Sequence, residues 1–269
     1  MSDYDYWQKQ GTAPLFKEVD AEQPEQRRMA GKLLVIGGNK GAFFAVANAL
    51  KVAHDMGVGE VRALLPSSLK NQVPATPEVY FAEAEASGAF GKNALNEMLV
   101  QSEWADVIVL IGDMGKNAET SIVLADYLKK CDKPVLLTRD AIDAATGDVM
   151  NWSVAREVET SLFLTVPQLQ KLLRTLYYPK VITLSMPTNQ LIEALHKFTL
   201  SYTLPVMTFH NNQLIIAQNG DVITEDLRDT GWTPINLWDG ALLVRAAILR
   251  TWNPNIEMRK IFASAVLIK

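Results

Sequence analysis

The chain has 269 residues, of which 48% are hydrophobic, and 26 Lys and Arg against 30 Asp and Glu give a formal net charge of −4. That length suits one large α/β domain or two small ones that bury about three quarters of the unfolded surface, and without a basic stripe nucleic acid is not expected as a partner. No apolar run reaches the ~20 residues that cross a bilayer, the polar opening MSDYDYWQKQ lacks the features of an export signal, and Cys131, His54, His196 and His210 are too scattered to hold a metal. The expectation is a cytoplasmic protein with no membrane partner and no metal site.

Residues 1–30 are polar and Pro-containing with isolated aromatics (Tyr4, Tyr6, Trp7, Phe16), which reads as an irregular arm packed on its own domain or on a second subunit of a homo-oligomer. Residues 31–269 read as the folded domain. It opens on a buried strand, Lys32–Ile36, which ends at Gly37-Gly38. Asn39, Lys40 and Gly41 then make a tight connection to an Ala-rich helix that stops at Gly57. A glycine turn at a helix start leaves N–H groups free for an anion or polar ligand, unless the glycines serve only the sharp reversal.

Further along, Glu60–Leu65 and Val79–Phe81 read as strands and Leu95–Gln101 as a helix. Val107–Ile111 is a buried strand leading into the loop Gly112, Asp113, Met114, Gly115, Lys116, Asn117, and Glu119–Lys130 follows as a helix. Pro134–Leu137 is the next parallel-type strand, ending at Asp140. Ser161–Leu164 and Val181–Leu184 read as strands followed by the helices Val166–Leu176 and Asn189–Tyr202. Strands alternating with helices predict a mostly parallel sheet covered on both faces. From Pro205 the rhythm changes: Asn211-Asn212 and Asn219-Gly220 between apolar runs signal antiparallel hairpins. Asp239–Trp252 and Asn255–Val266 close the chain as helices. The spacing G-x-G-x-x-G is absent and so is G-x-S-x-G, which sets aside a common dinucleotide fold and the common serine hydrolases.

KLLVIGGNKGA, GVGEVRALLP, PEVYFAE, VIVLIGDMGKN, PVLLTRDAI, TFHNNQLIIAQNGDV and LWDGALLVRAAIL, in this order, resemble the ribokinase-like superfamily. Within it the chain resembles the ADP/ATP-dependent NAD(P)H-hydrate dehydratases. The resemblance implies a three-layer α/β/α sandwich with a mostly parallel sheet and a late antiparallel hairpin, a lyase activity, a small-molecule ligand, and ADP or ATP with Mg²⁺. It implies Asp239 as the catalytic base, with an ordinary N-cap as the other reading of that residue. Asn211, Asn236, Trp238 and Gly240 fall where the nucleotide would be held. Asn39, Lys40, Gly41, Gly112, Asp113, Gly115, Lys116, Asn117 and Asp140 fall where the substrate would lie, in the cleft at the strand ends.

The sequence departs from that pattern at the phosphate contacts. Asn236-Leu237-Trp238-Asp239-Gly240 stands where the family has Gly-x-Gly-Asp, Phe209-His210 where it has Lys-Gly, and Asp113 where an uncharged residue is usual. Large side chains restrict backbone approach to a phosphate, and a carboxylate repels one. The expectation is weak nucleotide affinity with slow or no turnover, the alternatives being a non-catalytic ligand-binding descendant or a small-molecule kinase. His210 reads as a surface hairpin residue.

Overall fold

A computed structural model describes residues 5–19, 24–228 and 230–268, without the side chains of 236 and 237. Among these residues ten strands, β1 (Trp7–Gln10), β2 (Lys32–Gly37), β3 (Glu60–Pro66), β4 (Val79–Ala82), β5 (Val107–Gly112), β6 (Val135–Thr138), β7 (Thr160–Leu164), β8 (Val206–His210), β9 (Gln213–Gln218) and β10 (Asp221–Asp226), form one sheet. Its order is β1-β10-β9-β8-β7-β6-β5-β2-β3-β4. All pairs are parallel except those that β9 makes with β8 and β10.

The central strands are apolar on both faces, as a sheet sandwiched between helices requires. Leu34, Ile36, Ile108 and Leu110 face one core, and Leu33, Val35, Val109 and Ile111 the other, all fully buried. The first core is covered by α2 (Ala94–Trp104), α3 (Ala118–Lys130), α4 (Asp140–Thr146), α5 (Val149–Ala155), α6 (Val166–Thr175) and α7 (Thr188–Ser201). The second is covered by α1 (Phe44–Met56), α9 (Ala241–Trp252) and α10 (Met258–Leu267), with the short α8 (Pro234–Trp238) leading into α9. The result is the expected three-layer sandwich.

Both hairpin signals hold. Asn211 and Asn212 have φ of 49° and 59°, and Asn219 and Gly220 have 53° and 85°, so each pair supplies the two positive φ angles that a tight hairpin between right-twisted strands demands.

Two expectations need correction. Val181–Leu184 is not a strand: it pairs with no strand among the described residues, and Val181 and Leu184 are exposed. The place beside β7 belongs to β8, most of whose residues are buried, so the crossover carries α6 and α7 in succession. The arm, in turn, is not irregular throughout, because Trp7–Gln10 adds a parallel strand to the edge of β10. Tyr6 stacks on His196 with ring centroids 3.7 Å apart, and Trp7 Nε1 donates to Thr224 Oγ1 at 2.9 Å. Tyr4 lies outside the described residues. No helix among them is long and apolar enough to cross a membrane.

Candidate functional site

β2 and β5 are neighbours, so their glycine ends meet. Gly38 N donates to Gly112 O at 2.9 Å, and a Cβ on Gly37 would stand 2.5 Å from that same oxygen. Only a residue without a side chain permits so close an approach. Asn39 Nδ2 donates to Asp113 O at 2.5 Å, and its Oδ1 accepts from Gly41 N at 2.7 Å. The loops that the sequence assigned to one cleft therefore touch.

They touch by satisfying one another. Asp113 Oδ2 accepts from Ala45 N, near the start of α1, at 2.9 Å, and Oδ1 is ion-paired with Arg139 Nη2. Arg139 Nη1 donates to Trp238 O at 2.9 Å. Asp140 Oδ2 accepts from Gly115 N at 3.0 Å, while its Oδ1 is buried with no partner and stands 2.5 Å from where a Cβ on Gly112 would lie. Asp113 and Arg139 both have a φ of 57°, a conformation that costs a non-glycine residue about 1–3 kcal/mol and persists only where its surroundings impose it. Here the imposing contacts are the ion pair and the buried turns on either side.

Asp239 lies at the entry to α9. Its N–H donates to Ile235 O at 2.9 Å, which completes the α8 turn, and its Oδ1 accepts from Ala241 N at 2.8 Å. Burial raises its pKa above the usual carboxylate range, against the opposing pull of the Ala241 amide, Arg139, Asn48 and Arg245. The Asn48 amide stands near that carboxylate but makes no hydrogen bond of full geometry. Gly240, with φ 92°, is forced to be glycine because a Cβ would meet Ile111 Cδ1 at 2.4 Å. Trp238 stacks on Phe163, centroids 4.8 Å apart.

All but one of the side chains expected at the site can now be placed. Asn39, Gly41, Gly112, Asp113, Gly115, Asp140, Trp238, Asp239 and Gly240 share one end of the sheet. Lys40 and Lys116 lie beside them with exposed side chains. Asn117 caps α3, its Oδ1 accepting from Glu119 N at 2.7 Å. Asn211 is turned toward α7, where Nδ2 donates to Thr188 Oγ1 at 3.3 Å. The Asn236 side chain is outside the described residues. His210 is buried rather than on the surface, because its Nε2 is bonded to Met186 O at 2.7 Å in the chain leading to α7. Arg139, which ties three of these loops together, was not among the sequence candidates. Nothing in PVLLTRDAI marks it except its place at a strand end.

The run Asn236–Gly240 does not form a phosphate cradle. Residues 234–238 are helical, the first free amide of α9 is taken by Asp239, and the Trp238 carbonyl is taken by Arg139. For Mg²⁺ the fit is equally poor: among the described residues no group of three or more His, Cys, Asp and Glu side chains is arranged around one point, and Asp113 already faces a guanidinium.

Strand order, layers and late hairpins together define a ribokinase-like α/β fold. The comparisons agree on the fold. A ribokinase-like superfamily protein of Enterococcus faecalis V583 superposes with a TM-score of 0.71 at 16% identity, over 98% of this chain and 86% of that one. A hypothetical protein of Streptococcus mutans gives 0.63 at 14% identity, and the ADP/ATP-dependent NAD(P)H-hydrate dehydratase of Bacillus subtilis, co-crystallised with ATP and Mg²⁺, gives 0.60 at 14%; each covers 94% of this chain and 86% of the other. No family model matches the sequence, and no curated protein matches it.

Proposed function

We propose that this chain is a non-catalytic, small-molecule-binding protein built on the ribokinase-like fold, descended from a nucleotide-dependent lyase or kinase. The observation that carries this reading is the Arg139 bridge. One guanidinium answers both Asp113 and the Trp238 carbonyl, so the loop that would receive a phosphate is instead bound to the protein's own strand ends. Asp239, the residue to which the family resemblance gives the proton transfer, stands before the α9 N-cap Gly240 and accepts from the first amide of that helix.

A working NAD(P)H-hydrate dehydratase is the second reading. It is favoured by one observation, the upward pKa shift of the half-buried Asp239, which suits a general base. Turnover distinguishes the two. The protein is incubated with hydrated NADH and Mg²⁺ plus ADP or ATP, and recovery of NADH absorbance is followed. The binding-protein reading expects no dehydration and little thermal shift, whereas a nucleotide at about a hundred times its dissociation constant would add ~2.7 kcal/mol and raise the melting temperature by several degrees. Nucleotide-dependent dehydration that falls 10²–10⁴-fold in Asp239→Asn overturns it.

A further inference from the structure

A cavity of about 610 Å³ opens at the β10 edge, lined by Gln10, Thr12, Glu225, Trp232, Arg245 and Ile268 among others. That volume lies within the range of small-molecule sites. Its walls come from the arm, the end of β10, the segment before α8, α9 and the end of α10.

One wall presents acceptors. Gln10 and Glu225 occupy the same register on β1 and β10, and both are more than nine-tenths buried. Gln10 Nε2 donates to Glu225 Oε2 at 2.5 Å and to Ala263 O at 2.7 Å. Two acceptors fix the amide's orientation, which leaves Gln10 Oε1 buried without a donor. The second carboxylate oxygen of Glu225 makes no hydrogen bond among the described residues. Among the described residues no cation acts on that carboxyl, and burial lifts its pKa to about 7. The other carboxylate of the wall, Asp226, is engaged by Arg228 through both oxygens at 2.9 Å.

The other wall presents a cation. Arg245 lies over the Trp232 ring at 5.1 Å, and the indole is pinned by Nε1 donating to Val266 O at 2.9 Å. One Arg245 Nη donates to Ile268 O, while Nε is buried without an acceptor. The charges that act on Arg245 are those of Asp239 and Asp55, not that of Glu225, and burial lowers its pKa. The pocket thus holds an anionic and a cationic group that do not compensate each other. An apolar ligand would answer neither of them, and a singly charged one only one.

We propose that this pocket binds a small zwitterion, its ammonium group received by Gln10 Oε1 and the free oxygen of Glu225 and its carboxylate by the Arg245 guanidinium, with Trp232 as the floor between them. The site depends on the arm and the β10 edge, so it stands whether or not the strand-end cluster turns over a nucleotide.

The test titrates the full chain with glutamine, glutamate and lysine, and with putrescine and succinate as carriers of one charge type each. The readouts are the melting temperature and the indole N–H resonance of Trp232, assigned with Trp232→Phe. At least one amino acid is expected to move that resonance and raise the melting temperature, and neither single-charge probe should do so. Glu225→Gln is expected to weaken binding tenfold or more, and Thr12→Trp, at the exposed rim, to block it while the protein stays folded. The proposal is overturned if no amino acid binds with a Kd below about 10 mM, or if binding survives both substitutions. It is also overturned if ADP perturbs Trp232 while the amino acids do not.

Discussion

The cluster at the ends of β2, β5 and β6 and the pocket at the β10 edge are both built from buried charges, yet they differ in who answers those charges. In the cluster, Asp113 meets Arg139 and an α1 amide, Asp239 meets the Ala241 amide, and one oxygen of Asp140 meets the Gly115 amide, with the other Asp140 oxygen and Arg139 Nε the atoms left over. In the pocket, among the described residues, Glu225 is bonded only by a neutral glutamine, and Arg245 by a carbonyl and an aromatic face, with the charges of Asp239 and Asp55 acting on it without a hydrogen bond. A desolvated charge is costly unless it is paired. The cluster therefore stabilises the fold, whereas the pocket holds interaction capacity in reserve for something outside the chain.

Arg139→Ala is the strongest way to break that contrast. It leaves Asp113, which is mostly buried, without its cation, and should cost about 3 kcal/mol in urea unfolding. Adding Asp113→Asn should recover part of the loss, and a double mutant as unstable as the sum of both single changes would mean that the pair is not coupled. Gly112→Ala comes next, with an expected loss of about 2 kcal/mol, because φ is 95° and the new methyl would meet Asp140 Oδ1 at 2.5 Å. Unchanged stability there would show that the strand ends are less crowded than described.

On the pocket side the effect depends on pH. The Glu225 pKa is raised from 4.5 to about 7, so the folded state holds its proton more tightly than the unfolded chain does. Its contribution is fully present below 4.5 and is lost as pH rises through about 7, with a slope of at most ~1.4 kcal/mol per pH unit. Glu225→Gln should flatten that part of the stability profile and make the variant relatively more stable at pH above 7; an unaltered profile would show that the carboxyl is not desolvated. The smallest effect is expected from Thr12→Trp, which enters open space and should change stability by no more than about 0.5 kcal/mol. A large loss would mean that the pocket is closed in solution.

The same contrast explains what could be read in the sequence. Strands apolar on both faces, the Asn-Gly and Asn-Asn turns, and the glycine ends of β2 and β5 are local patterns, and they located both the fold and the meeting of Asn39 with Gly112–Asn117. Arg139 was invisible because its meaning lies in a partner 26 residues away and a carbonyl 99 away. The Val181–Leu184 run has strand composition, but which segment fills the place beside β7 is a competition that only the assembled sheet decides. The pocket was hidden for the same reason, since Gln10 and Glu225 are 215 residues apart.

That last separation has a consequence for how the chain is made. Among the described residues β1 is the first strand, and the one strand it pairs with, β10, is the last. Synthesis proceeds from the N-terminus, so Trp7–Gln10 leaves the ribosome long before any surface exists for it to pair with. Closing so long a loop is slow and comes late. The sheet's outer border can thus form only on a chain translated through β10.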